Sequence, residues 1–123
     1  MNINLAINQG SKILRNNFIP NSQLDSEILM TKIINKDRNF ILLNPYSNIN
    51  ENELNKFFRL IKLRSLGSPV AHLIRKKYFW NSEFIVTNDT LIPRPDTELI
   101  IENVLNLTKQ KNKINILDIG IGS

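Results

Sequence analysis

Two short segments of this chain carry residues whose types and spacing suit ligand chemistry. Leu91-Ile-Pro-Arg-Pro-Asp-Thr-Glu98 sets a cation, carboxylates and a hydroxyl around two prolines, and Ile116-Leu-Asp-Ile-Gly-Ile-Gly-Ser123 runs an apolar stretch into glycines. Glycines let a chain turn tightly and let a ligand approach the backbone closely. Amides exposed in such a turn can receive a carboxylate or a phosphate. The second segment therefore predicts the start of a nucleotide-type cofactor site, which further strands would have to complete.

Each segment also has a purely structural interpretation that the residues alone leave open. An apolar strand ending in Asp-x-Gly-x-Gly occurs in dinucleotide binders, in S-adenosylmethionine binders and in ordinary tight turns. The prolines around Arg94 can simply stiffen a strand-to-helix corner and leave the guanidinium solvated. The functional alternative is that a rigid corner presents Arg94, Asp96, Thr97 and Glu98 to a neighbouring pocket, where preorganised polar groups orient a ligand at low entropic cost.

Composition limits the other chemistries. The 123 residues include no cysteine and one histidine, so neither a disulfide framework nor a metal site is expected. His72 is predicted to be a packed or half-exposed structural residue rather than a general base. The net charge of +5 and pI of 9.7 permit a nucleic-acid partner, but the basic residues are spread out, so direct nucleic-acid binding is not expected. Without a membrane-length apolar run or a signal pattern, a cytoplasmic location is expected.

Apolar periodicity and capping residues predict a helical first half. The second helix is expected to bury a stripe of Leu24, Ile28, Leu29 and Ile33, and the third to carry Phe40, Leu42 and Leu43. The first predicted helix runs from Ile3 to Asn16 with Asn2 as its cap, and the second starts at Ser22, with Asp25 completing a capping box. A short third helix is capped by Asp37. The fourth starts at Asn50 with Glu53 and stops at Gly67, and a last helical turn follows Ser68-Pro69.

The helical spacing of apolar residues ends after residue 75. Aromatic and β-branched residues predict a β-hairpin over 77–92, and Asn88-Asp89 predicts a turn. A helix is expected to start at about Pro95. The nearly continuous apolar run Ile114 to Ile119 predicts a strand covered on both faces, as in a parallel sheet. The predicted organisation is a helical bundle over 1–75, a connector over 76–92 and the start of an α/β domain over 93–123.

The segments taken together carry a family resemblance. With Gly67-Ser-Pro-Val-Ala-His-Leu-Ile74 and Phe79-Trp80 before them, they resemble the protein-glutamine methyltransferases that modify peptide chain release factors, the HemK or PrmC family. The likeness covers the whole chain and is strongest over 67–123. It implies a helical release-factor-recognition domain, a hairpin linker, and the first helix and strand of a class I, Rossmann-like α/β methyltransferase domain that binds S-adenosylmethionine.

The resemblance also implies roles for individual residues. The reaction would transfer a methyl group to the side-chain amide nitrogen of the glutamine in a release factor's Gly-Gly-Gln loop. Peptide chain release factors are thus the implied partners, and no metal is implied. The residues matched to the cofactor motif and to the pocket-lining segment before it are Asp118, Gly120, Ile121, Gly122, Ser123, Arg94, Pro95, Asp96 and Thr97.

The chain departs from the family pattern at several positions. The family usually has Gly where Arg75 stands and Glu where Tyr78 stands. Its catalytic Asn-Pro-Pro-Tyr lies beyond residue 123, and Asn44-Pro45-Tyr46 is no substitute because it lacks the second proline and follows no core strand. The family's Asn and Pro carbonyls position a poorly nucleophilic amide nitrogen. Without them we expect the N-terminal part of such an enzyme, inactive by itself and a poor binder of S-adenosylmethionine.

Other classes of function remain open at this stage. The chain could be a stand-alone helical binding module that contacts a translation factor or RNA. It could also belong to an amino-methyltransferase that acts on nucleic-acid bases, because the site logic of those enzymes is similar. An Asn-Pro-Pro-Tyr motif further along the gene would discriminate between a binding module and an enzyme.

Overall fold

A computed structural model describes residues 1–122 of the protein, and the chain divides into two compact units, Met1–Ile74 and a second that begins at Arg75. No helix among the described residues is long and apolar enough to cross a membrane. The elements in chain order are α1 (Ile3–Asn16), α2 (Ser22–Ile34), α3 (Arg38–Leu43), α4 (Glu51–Ser65), α5 (Val70–Ile74), β1 (Lys76–Phe79), β2 (Ser82–Ile85), a 3-10 turn (Pro95–Thr97) and α6 (Glu98–Thr108).

Three helices of the first unit begin at the predicted caps. The Oδ1 atom of Asn2 accepts from the amide of Leu5 at 2.9 Å, and Asp37 accepts from the amide of Phe40 at 2.8 Å. Asn50 and Glu53 form the reciprocal capping box that was predicted, each side chain accepting from the other's amide. Each cap satisfies a backbone donor that has no partner inside the helix, so the local sequence determines where the helix starts.

The core of the first unit lies where α1, α2 and α4 pack together. Gly10 is the point of closest approach, because a Cβ atom there would meet buried side chains from α2 and α4 at less than 3.0 Å. The small residue therefore lets three helices share one core. The buried apolar residues are Ile3, Ala6, Ile7, Leu14, Leu29, Met30, Ile41, Ile49, Phe57 and Ile61.

The predicted start and apolar stripe of α2 are only partly correct, since Leu29 is buried and Ile33 packs against the core but other positions differ. Asn21, not Ser22, is the N-cap residue, and its side chain makes no capping hydrogen bond. Ser22 and Asp25 lie inside the helix and are buried, so they do not form a capping box. Leu24, expected in the apolar stripe, is exposed. The helix turns a largely polar face inward because that face finds hydrogen-bonding partners on other elements, which a periodicity argument cannot include.

The third helix also differs from its prediction. Ile41 is its buried residue, whereas Leu42 and Leu43 point to solvent. Phe40 is half-buried against the core. In a helix of this length only one side can face the bundle, so Ile41 takes the core position that had been assigned to its neighbours.

The second unit opens with a hairpin that is shorter than the predicted one over 77–92. Strands β1 and β2 pair antiparallel with Tyr78 opposite Glu83, and the turn between them is Trp80-Asn81. Asn88-Asp89 forms a separate turn that follows the hairpin. The hairpin turn itself was not predicted, because Trp80 takes a positive φ of 52° that its residue type does not favour.

The final segment contains a helix but no strand. The 3-10 turn at Pro95 leads into α6 close to the predicted start. The strand predicted over 114–119 is absent: those residues are irregular and exposed, and the sheet of the described chain contains only β1 and β2. A lone strand cannot satisfy its backbone donors and acceptors, so an apolar run without a partner strand stays unpaired. The Rossmann-like part of the predicted fold is thus not shown.

Candidate functional site

The Pro-Arg-Pro corner forms as a short turn with its polar groups in solvent. Arg94 is extended, and its carbonyl oxygen accepts from the amide of Thr97 at 3.0 Å. Pro95 occupies the first position of the 3-10 turn, where a missing amide hydrogen carries no penalty. Arg94, Pro95, Asp96 and Thr97 are all exposed. The corner presents these side chains to solvent, and their role in cofactor binding stays a prediction.

Glu98, the last residue of the same octet, has a structural contact. Its Oε1 atom accepts from the backbone amide of Trp80 at 2.7 Å. Trp80 lies in the hairpin turn with a positive φ, outside the paired residues of β1 and β2. The carboxylate of Glu98 thereby ties the start of α6 to the hairpin turn. The sequence left open whether Glu98 faces a pocket, and it did not predict this contact because the two residues are 18 positions apart.

The exposed face of the hairpin carries a charged cluster. The Nζ atom of Lys76 lies 2.8 Å from Oε1 of Glu83. The Lys76 ammonium, followed by the Tyr78 hydroxyl, lowers the pKa of the Glu83 carboxyl by hydrogen bonding to its charged form. Glu83 in turn raises the pKa of Tyr78 and of Lys76. On the opposite face, Phe79 and Phe84 meet edge to face with ring centroids 6.2 Å apart.

The glycine segment forms bends in an exposed stretch. Gly120 and Gly122 have φ values of 83° and 74°, which only glycine adopts without strain. Asp118 and Ile121 are exposed, and nothing lies within 4 Å of a Cβ atom built on either glycine. Ser123 lies outside the described residues. The described residues around the glycines therefore do not form the walls of an S-adenosylmethionine pocket.

The two predicted cofactor segments are not joined in the structure. Among residues 1–122, no hydrogen bond or ion pair links Arg94–Thr97 with Asp118–Gly122. Asn44-Pro45-Tyr46 is a helix end: the Asn44 side chain donates to the carbonyl of Phe40 at 3.0 Å. His72 lies half-buried on α5, as its sequence context predicted.

The inward face of α2 is a polar constellation that the sequence did not reveal. Nε of Arg64 donates to Asp25 at 2.7 Å, and Nε of Arg38 donates to Glu27 at 2.7 Å. Between them, Oγ of Ser26 donates to the carbonyl of Ile7 at 2.9 Å. Every buried polar group of this face thus has a partner, which is the condition for burying it without a large loss of stability. These residues organise the bundle and are not free for chemistry.

Comparison with known proteins connects this architecture to a family. The family described as the PrmC N-terminal domain matches residues 6–74, which is nearly the whole of the helical unit. The chain belongs to the PrmC family. The match begins in the first turn of α1 and runs to the end of α5, so the helical bundle is the PrmC N-terminal domain.

Curated relatives extend the likeness past the bundle. A release factor glutamine methyltransferase of Clostridium botulinum is 39% identical over 115 residues, 94% of this chain and 41% of the relative. One from Buchnera aphidicola subsp. Schizaphis graminum is 37% identical over all 123 residues, 44% of its own length. One from Shewanella oneidensis is 37% identical over 102 residues, 83% of this chain and 35% of the relative. The chain thus spans about two fifths of the length of these PrmC relatives.

Proposed function

We propose that this chain supplies the substrate-recognition domain, and the entry to the catalytic domain, of an S-adenosylmethionine-dependent release factor glutamine methyltransferase. The whole enzyme would methylate the Gly-Gly-Gln glutamine of a peptide chain release factor. The observation that carries the proposal is the coincidence of the PrmC N-terminal domain match, residues 6–74, with the compact unit Met1–Ile74. The relatives named as release factor glutamine methyltransferases support the same substrate.

The division of labour follows from what each part offers. The carboxylates of Asp25 and Glu27 are engaged in ion pairs, and the described residues bring no group of three or more His, Asp or Glu side chains together. A separate bundle adds little to methyl transfer itself, so holding the protein substrate is the task it suits. The segment from Arg94 onward, with Asp118 and the two glycines after it, would contribute to the cofactor site of the whole enzyme. Catalytic groups are not assigned to any residue of this chain.

Release-factor binding by the 123-residue chain tests the recognition role directly. Titration calorimetry against a release factor from the same organism should show weak, saturable binding without added S-adenosylmethionine. The affinity should fall as salt rises, because a chain with a net charge of +5 is steered toward an acidic surface. A matched titration with S-adenosylmethionine alone should show no saturable binding, because no side chains surround the glycine segment to enclose the cofactor.

Two results would contradict the proposal. Absence of release-factor binding at high protein concentration, at both low and moderate salt, would remove the recognition role from the bundle. Tight binding to tRNA without binding to the release factor would instead favour an RNA-binding module.

A further inference from the structure

Phe18 adopts a backbone conformation that its residue type disfavours. The amide of Phe18 donates to the carbonyl of Arg15 at 3.0 Å, and the amide of Ile19 donates to the carbonyl of Leu14 at 3.1 Å. This pair of bonds is the Schellman motif, in which the residue after the C-cap is left-handed and usually glycine. Phe18 holds that position with a φ of 60°. A bulky residue is an outlier in this region of backbone space.

The Phe18 side chain receives no compensating burial. The residue as a whole is 94% exposed, and no aromatic or cation–π partner contacts its ring among residues 1–122. Glycine or asparagine would end α1 with less strain and leave less apolar surface in water. The helix end requires a left-handed residue here but not an aromatic one, and strained residues of this kind cluster at functional positions. The helical unit therefore carries an aromatic side chain that its own folding does not use.

The surroundings of Phe18 define the kind of surface that would receive it. A groove of about 670 Å³ lies beside the ring, with Pro20, Leu24 and Arg15 among its lining residues. Leu24 is itself exposed, in contrast to its predicted burial. Arg15 is exposed, no described carboxylate pairs with it, and no Asp or Glu lines the groove. The lining is half apolar and half polar, and Arg15 is its one charged residue; the other polar members are Asn21, Ser22 and Gln23.

We propose that Phe18 is the docking anchor of the helical unit: its ring enters an apolar pocket of the release factor, and Arg15 pairs with a carboxylate at the edge of that pocket. The inference rests on the proposed function for the identity of the partner. Binding energy at protein interfaces concentrates in such aromatic anchors with Arg beside them.

Two other occupants fit the surface less well. Single-stranded nucleic acid would need several stacking rings along a basic track, whereas this groove has one ring and one cation. A second copy of the chain would bring another Arg15 and another net charge of +5 to the same contact. Charge complementarity therefore favours a protein partner with acidic groups around an apolar pocket.

The substitution Phe18→Asn separates docking from folding. Asparagine tolerates the left-handed position, so the thermal midpoint of the chain should stay equal or rise. In calorimetric titration of the full chain with the release factor, Phe18→Asn should weaken binding at least about tenfold. Leu43→Asn is the matched control, because Leu43 is also an exposed apolar residue, 80% exposed, on a different helix. Its binding should stay that of the unchanged chain.

Arg15→Gln tests the second half of the contact. It should weaken binding most at low salt and flatten the salt dependence, because a rim charge acts mainly through screened electrostatics. Unchanged affinity for Phe18→Asn, while the unchanged chain binds the release factor, would overturn the anchor and leave the proposed function standing. Equal losses for Phe18→Asn and Leu43→Asn would also overturn it. Failure of the unchanged chain to bind would refute both, and Phe18-dependent binding of an RNA oligonucleotide alone would replace the protein partner.

Discussion

Replacing Gly10 by alanine should destabilise the helical unit even though it improves the helix propensity of α1. Alanine in a helix interior is favoured over glycine by about 1 kcal/mol. On propensity alone, Gly10→Ala should therefore raise the stability of the protein. The tight packing around Gly10 reverses the sign of the expected change in stability.

The steric cost of the added Cβ atom is larger than the gain in helix propensity. The added Cβ would lie 2.7 Å from Oγ of Ser26, 2.9 Å from Cδ1 of Ile61 and 2.9 Å from Cζ of Phe57. All three side chains are fully buried, so none can move into solvent. Overpacking of this kind costs about 1–3 kcal/mol. Displacing Ser26 also weakens its bond to the Ile7 carbonyl, worth about 1 kcal/mol. The net loss should be about 2 kcal/mol.

Thermal and urea denaturation followed by circular dichroism measures this loss. For a unit of this size about 2 kcal/mol corresponds to a fall in Tm of roughly 10 °C. Asn8→Ala is the control, since Asn8 lies on the exposed side of the same helix, and it should be neutral or stabilising by up to about 0.5 kcal/mol. A Gly10→Ala protein as stable as the unchanged one would show that the three helices can separate without loss, and the packing argument would be wrong.

Three further perturbations follow from individual contacts. Arg64→Met leaves the buried carboxylate of Asp25 unpaired and should lower the free energy of unfolding by about 3 kcal/mol. Adding Asp25→Asn to that variant should restore part of the lost stability. A loss below about 1 kcal/mol in Arg64→Met, measured by denaturation, would show that the ion pair is unimportant. Because the pKa of Glu83 is lowered in the fold, its contribution to hairpin stability is present at neutral pH and lost as the pH falls below the carboxyl's ordinary 4.5. An NMR titration should show the Glu83 pKa rising toward that value in Lys76→Met, and no rise would exclude Lys76 as the cause. Arg75→Gly should stabilise the protein by about 0.5 kcal/mol, because removing the strain of a φ of 60° outweighs the extra entropy that glycine gives the unfolded chain. A less stable Arg75→Gly protein in denaturation would refute the strain at this position.

The sequence by itself determined the features that depend on near neighbours. Asn2, Asp37 and the pair Asn50 and Glu53 set helix starts through contacts within three residues, so the residue types identify them without any knowledge of packing. Pro95 likewise marks the start of the turn into α6. The quoted motifs also sufficed to suggest the family, since motif matching requires no three-dimensional contacts.

Only the tertiary structure decided which faces those elements bury. Asp25 lies inward because Arg64, 39 positions away, completes an ion pair, and Ser26 lies inward because the Ile7 carbonyl, 19 positions away, accepts its hydrogen bond. The strand predicted over 114–119 failed for the converse reason, since its apolar pattern needs a partner strand that the described chain does not place beside it. The spacing of apolar residues shows how apolar each side of a helix is. Whether a polar side is buried depends on hydrogen-bonding partners that are distant in sequence, and these come together only when the chain folds.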